Sequence, residues 1–148
     1  MKSYFLLAAF AIFAPMMTFA QGNSDNPLFQ KWTTKFEVPP FDKIKVEHFM
    51  PAFIEGMKQQ KAEIDAIVNS KEKPTFQNTI EAMEYSGQFL TKVSLVFYNW
   101  TSANISPELQ KVSGEVAPLL SKHGDDISLN ENLFKRVKAV YDERAKLK

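Results

Sequence analysis

The sequence predicts an all-α protein, and three observations predict it. Apolar residues recur at intervals of three and four along four stretches, the period of a helix with one buried face. Strict alternation of apolar and polar residues, the mark of a half-buried strand, persists nowhere. The breaks between stretches are short and carry proline or a helix-capping residue, which stop and restart helices. Short connections favour antiparallel neighbours. The expectation is about four helices in an antiparallel, bundle-like arrangement, with a proline-rich arm ahead of them.

The chain has 148 residues, enough for one ordinary domain. Hydrophobic residues make up 45% and charged residues 24%, a globular rather than a disordered composition. Lys and Arg number 18 against 17 Asp and Glu. That balance gives no electrostatic reason to expect nucleic acid or an anionic membrane as partner. Cysteine is absent, which excludes disulfides, thiolate zinc sites and a cysteine nucleophile.

Residues 1–20, MKSYFLLAAFAIFAPMMTFA, read as a secretory signal peptide. Lys2 opens it, an apolar run follows to Met17, and Thr18-Phe19-Ala20 supplies small residues at the cleavage site. The run is shorter than the roughly 20 apolar residues of a membrane span, and Pro15 interrupts it. Cleavage between Ala20 and Gln21 is expected. The product would be secreted or periplasmic, with no membrane partner.

Residues 21–45 form the arm. Pro27, Pro39 and Pro40 bias the residues before them toward extended backbone. Leu28, Phe29, Trp32, Phe36, Val38 and Phe41 make it too apolar for a free tail, so it is expected to pack on the helices. The helical domain occupies 46–148. Helix one runs from Val46 to Asn69, with Phe49, Phe53, Met57, Ile64 and Ile67 inward and Ile54 and Val68 beside them. NSKEKP breaks it. Helix two is capped by Thr75 and runs from Phe76 to Trp100, roughly 37 Å at the α-helical rise. It carries two apolar stripes. Phe76, Ile80, Met83, Gly87, Leu90, Ser94 and Phe97 form one; Tyr85, Phe89, Val93, Val96 and Trp100 form the other. Gly87 costs about 1 kcal/mol relative to Ala in a helix interior, so close approach of a neighbouring helix is expected there. Ser106 and Pro107 start helix three as N-cap and first residue. Its stripe is Leu109, Val112, Val116, Leu119 or Leu120, then His123, with a kink expected at Pro118. HGDDISLN reads as the next break. Helix four runs from Glu131 to the end, with Leu133, Phe134, Val137, Val140 and Tyr141 inward.

Chemistry is sparse. The two histidines, His48 and His123, fall on different helices without a second ligand at the i+4 spacing that a zinc helix uses. His48 lies near a helix start. His123 lies near an expected helix end, where the helix dipole would favour its protonated form. Asp125 and Asp126 lack the further oxygens of a Ca²⁺ loop and read as a solvated turn. Asn99-Trp100-Thr101 and Asn104-Ile105-Ser106 match a glycosylation triplet that matters only in a eukaryotic secretory pathway. No nucleophile elbow, phosphate loop or basic aromatic patch is present. The residues alone supply no catalytic and no metal-binding side chain.

An ordered set of segments nevertheless carries a resemblance: NPLFQKW, VPPFDKIKVEHFMPAF, EIDAIV, PTFQNTIEAMEYSG, VFYNWTSAN, LQKVSGEVAPLLSKHGDDISLN and LFKRVKAVYDER. In this order they resemble the N-terminal region of the thimet oligopeptidase family of zinc metallopeptidases, closest to its peptidyl-dipeptidase branch. The resemblance covers about Asn26 to Arg144. It implies a two-lobed helical clamshell that admits short peptides and releases dipeptides from their C-termini. Zinc would be held by the two His of an H-E-x-x-H helix and a later Glu. Nothing up to Lys148 corresponds to that motif, so no zinc ligand is carried to any position here. The zinc cofactor would belong to the full-length parent. The partners implied are the remainder of the peptidase polypeptide and, for the whole enzyme, short peptides. Under the resemblance, the second stripe of helix two, Phe89, Val93, Val96 and Trp100, is the candidate inter-lobe packing surface. The alternative is a stand-alone secreted helical binding module without enzymatic activity.

Overall fold

The computed structural model describes residues 25–146. The expected signal segment and its cleavage pair, Ala20 and Gln21, lie outside the described residues. Every regular element among them is helical, so the all-α class holds. A 3₁₀ turn at Val46–His48 leads into α1, Phe49–Asn69. α2 is a π-helical segment, Phe76–Glu81, running into a single α turn, Ala82–Glu84. α3 is Gln88–Ala103, α4 is Pro107–Ser128 and α5 is Glu131–Asp142.

The caps fall where hydrogen-bonding side chains were found. Thr75 Oγ1 accepts from the Asn78 amide at 3.1 Å, and Asn78 Oδ1 accepts from the Thr75 amide at 2.8 Å. Two amides left over at a helix start are thereby satisfied reciprocally. Ser106 Oγ accepts from the Leu109 amide at 3.2 Å, with Pro107 at the first helical position.

Two expectations are corrected. The single helix from Phe76 to Trp100 is two helices joined at Gly87. Gly87 has φ 72°, a left-handed conformation that a Cβ disfavours. Its amide donates to Glu63 Oε2 at 2.7 Å, so α1 itself holds the joint. The expected close approach is also present: a Cβ at position 87 would lie within 2.9 Å of Gln60 Oε1 and closer still to its Nε2. The joint resets the rotational phase, and Tyr85, expected to continue the second stripe, is exposed. The second correction concerns HGDDISLN. α4 runs on through Pro118, His123, Gly124, Asp125 and Asp126 to Ser128. Asp125 and Asp126 are helical, not a turn. Lys122 pairs with Asp126 at 2.6 Å across one turn, an arrangement that supports a helix. The break is confined to Leu129 and Asn130, where Asn130 Oδ1 accepts from the Asn132 and Leu133 amides at 3.0 Å each.

α1 is the spine. Its N-terminal half places Phe49, Ala52 and Phe53 in one core with Leu28, Val93, Phe97, Leu109 and Val116. Gly56 lets α3 close onto it, because a Cβ there would lie 3.0 Å from Leu90 Cα. Its C-terminal half places Ile64 and Ile67 in a second cluster with Leu133, against which Val68, Met83 and Ile127 pack.

On α5 the buried line is Leu133, Arg136 and Val140. Phe134 and Tyr141, expected inward, are 64% and 59% exposed. Each lies one residue beyond a buried position, a rotation of about 100° on a helix. Arg136 holds the α1–α2 connection. Its Nη1 donates to Ser70 O at 3.0 Å and Glu72 O at 3.3 Å, and its Nη2 to Asn78 Oδ1 at 3.2 Å. Arg136→Met keeps the apolar stem and leaves these acceptors without the guanidinium. An expected loss of about 2 kcal/mol follows from the worth of hydrogen bonds to charged groups. The urea midpoint measures it, and an unchanged midpoint would deny the clamp a role.

A candidate docking surface

α3 presents three faces, and each meets something different. Leu90, Val93 and Phe97 face the core. A second face carries Phe89, Val96 and Trp100, and the arm covers it. Phe29 stacks on Phe89 with ring centroids 5.4 Å apart. Trp100 meets Phe49 edge-on at 5.7 Å and Phe41 at 6.1 Å. Lys92 fastens the arm: its Nζ donates to Leu28 O and Gln30 O, both at 3.1 Å, and stands 3.9 Å from the Trp32 ring centroid. Burial lowers the Lys92 pKa from its ordinary value.

At the arm's N-terminal end, Asn26 Oδ1 accepts from the Leu28 amide at 3.0 Å, and Asn26 Nδ2 donates to His48 O at 2.9 Å. The arm therefore packs as expected at Leu28, Phe29 and Trp32. It does not at Phe36, which is 86% exposed. Phe36 and Glu37 have φ of 60° and 55°, and that left-handed turn carries the ring outward.

Val93 and Val96 are buried within this chain, and Phe89 and Trp100 are half-buried against its core. Val93 faces the core, whereas the partner of the second stripe at Phe89 and Trp100 is the arm. Helical periodicity could not find it, because the arm's apolar residues follow no helical period.

The third face is open. Leu95 is 67% exposed and Tyr98 47%. A groove of about 740 Å³ between α3 and α4 is lined by Leu90, Ser94, Leu95, Tyr98, Ser102 and Leu120, among others. Across the Leu95 ridge, a second depression of about 390 Å³ is lined by Trp32, Pro39, Phe41, Lys92, Leu95 and Val96, with Asn99. Leu95 belonged to neither stripe read from the sequence. Its signal was a third apolar direction on a helix already carrying two.

The histidines are engaged separately. The Lys45 amide donates to His48 Nδ1 at 3.0 Å, which helps start α1. His123 Nε2 lies 2.8 Å from Gln60 Oε1. Among the described residues no three His, Cys, Asp or Glu side chains converge, so these residues do not fit a zinc centre. Burial pushes the His123 imidazole below its ordinary pKa, and Asp126 pulls it back by less. This reverses the expected dipole effect, because α4 ends five residues further on, at Ser128. Protonation is therefore harder in the folded chain than in the unfolded one. The stability contributed by His123 is fully present above the ordinary value of 6.5 and is lost as pH falls from there through the lowered folded value. The stability difference between wild type and His123→Gln is expected to shrink from about pH 7.5 to 5.5. Paired urea titrations check it, and a difference that grows on acidification would reverse the sign.

No protein-family model matches the chain. Its sequence relatives are peptidases, and most of the chain is similar to one part of each of them. In particular, it is 42% identical over 124 residues to the dipeptidyl carboxypeptidase of Salmonella typhimurium, covering 84% of this chain and 18% of that protein. It is 43% identical over 122 residues to the dipeptidyl carboxypeptidase of Escherichia coli, covering 82% and 18%. Similarity to the Escherichia coli oligopeptidase A is lower, 27% over 117 residues, covering 79% and 17%. The chain thus spans less than a fifth of the length of these relatives.

Proposed function

We propose that this chain is the N-terminal helical part of an exported zinc metallopeptidase that removes dipeptides from the C-termini of short peptides. It forms a wall of the substrate clamshell and supplies neither zinc ligand nor catalytic base. The observation that carries the reading is the 42% and 43% identity to two dipeptidyl carboxypeptidases across more than four fifths of the chain. The lower identity to oligopeptidase A, 27%, favours dipeptide release over the more general activity. In such an enzyme zinc would supply Lewis-acid chemistry, held by protein ligands and assisted by a base. Those groups would come from the rest of the polypeptide, and this segment's task is to hold a helical wall in place.

The reading frame beyond the Lys148 codon tests this. An in-frame H-E-x-x-H downstream is expected. A stop codon there, together with a stable exported protein of this size, would overturn the reading in favour of a binding module. Export is tested by the intact mass of the mature protein, which is expected to begin at Gln21.

A further inference from the structure

We infer that the open face of α3 is the seam on which a helix from the remaining peptidase polypeptide packs, with Leu95 as its central ridge and Tyr98 beside it. This rests on the peptidase reading above. Three observations point to the occupant. First, Thr91, Leu95, Tyr98 and Ser102 follow one another at helical spacing, so the face is an apolar and small-residue stripe with grooves on both sides. Ridges of one helix seat in such grooves of another. Second, the lining residues include no carboxylate, and the one cation among them, Lys92, already donates to Leu28 O and Gln30 O. The surface therefore suits an apolar helix face and gives no charge for an acidic or basic partner to read. Third, the relatives continue for more than four fifths of their length outside the matched stretch, which supplies polypeptide to cover it. The arm cannot be that cover, since it already lies on the Phe89, Val96 and Trp100 side.

The chain has no cysteine, so single-cysteine variants report position cleanly. L95C, Y98C and, as a control in the α1–α2 connection, K71C would be labelled with a maleimide. Labelling would be read by mass spectrometry of the peptide carrying each position. The comparison is between the chain alone and a chimera in which it replaces the matching part of the Escherichia coli dipeptidyl carboxypeptidase. Labelling at L95C and Y98C is expected to slow about tenfold in the chimera, because the core of a seam excludes water. K71C should change less than about twofold, as an exposed site keeps its water. Unchanged labelling at L95C and Y98C in a chimera that releases dipeptides would overturn the seam and leave the peptidase reading intact. A folded chimera that releases none would remove that reading, and the seam with it. Protection that rises with the concentration of the chain alone would assign the face to a second copy instead. L95E in the chain alone is the independent arm. An unchanged urea midpoint is expected, and a lost fold would place Leu95 in the core and overturn the proposal.

Discussion

Phe97→Ala is expected to lower the unfolding free energy by about 3–5 kcal/mol, the range for truncating a buried aromatic. Phe97 is fully buried. Its ring meets Phe49 edge-on at 4.9 Å and Phe53 at 5.3 Å, so it joins α3 to two successive turns of α1. Edge-to-face pairs add about 0.5–1.5 kcal/mol each beyond the area buried. The cavity left would lie between two helices that Gly56 already holds in close contact with Leu90, so the walls have little room to collapse. Against a typical total of about 5–15 kcal/mol, this loss takes the variant close to unfolding. Urea titration measures it. Phe97→Leu keeps most of the volume and is expected to lose about 1–2 kcal/mol, in line with swaps that nearly conserve volume. A loss below about 1.5 kcal/mol for the alanine variant would mean that α1 and α3 are held by something other than this ring cluster.

What the sequence made legible follows from what has a period. Phe49, Phe53, Ile64 and Ile67 recur at helical intervals, and all four are buried. Thr75 and Ser106 are capping residues by chemistry and cap their helices. Three features had no such mark. Gly-Asp-Asp after His123 has the composition of a turn, yet the Lys122–Asp126 pair and the packing of Ile127 against the second core cluster keep it helical; context outweighs propensities of this size. The arm's contacts with Phe89 and Trp100 join residues far apart in the chain, with no spacing rule to announce them. Phe134 and Tyr141 are apolar by type but lie off the α5 line that meets α1, so residue type alone misplaced them. The candidate surface was missed for a related reason. Two stripes on one helix accounted for most of its apolar residues, and Leu95 and Tyr98 fell outside both. The proposed peptidase reading rests on resemblance alone, since the described residues bring no three potential metal ligands together.

Gly87→Ala separates the continuous helix expected from the sequence from the jointed one in the structure, because the two predict opposite signs. In a helix interior, alanine for glycine is a gain of about 1 kcal/mol. At the joint, φ is 72°, and a side chain in the left-handed region costs about 1–2 kcal/mol. The new Cβ would also run into the Gln60 amide. Gln60 cannot swing away freely, since its Oε1 lies 2.8 Å from His123 Nε2 and its Nε2 lies 3.5 Å from Ser86 Oγ. Forcing extra volume into a packed site adds about 1–3 kcal/mol. The expected result is therefore a loss of about 2–5 kcal/mol, the strain and the collision together. Repeating the substitution in a Gln60→Ala background separates the two contributions, as neighbouring sites couple. With the collision removed, the remaining loss should fall to about 1–2 kcal/mol, the strain alone. A gain in stability on Gly87→Ala would mean that α2 and α3 straighten into one helix. The Gly87–Glu63 hydrogen bond would then not hold the joint in solution, and the stripes on either side of position 87 would run in a single register.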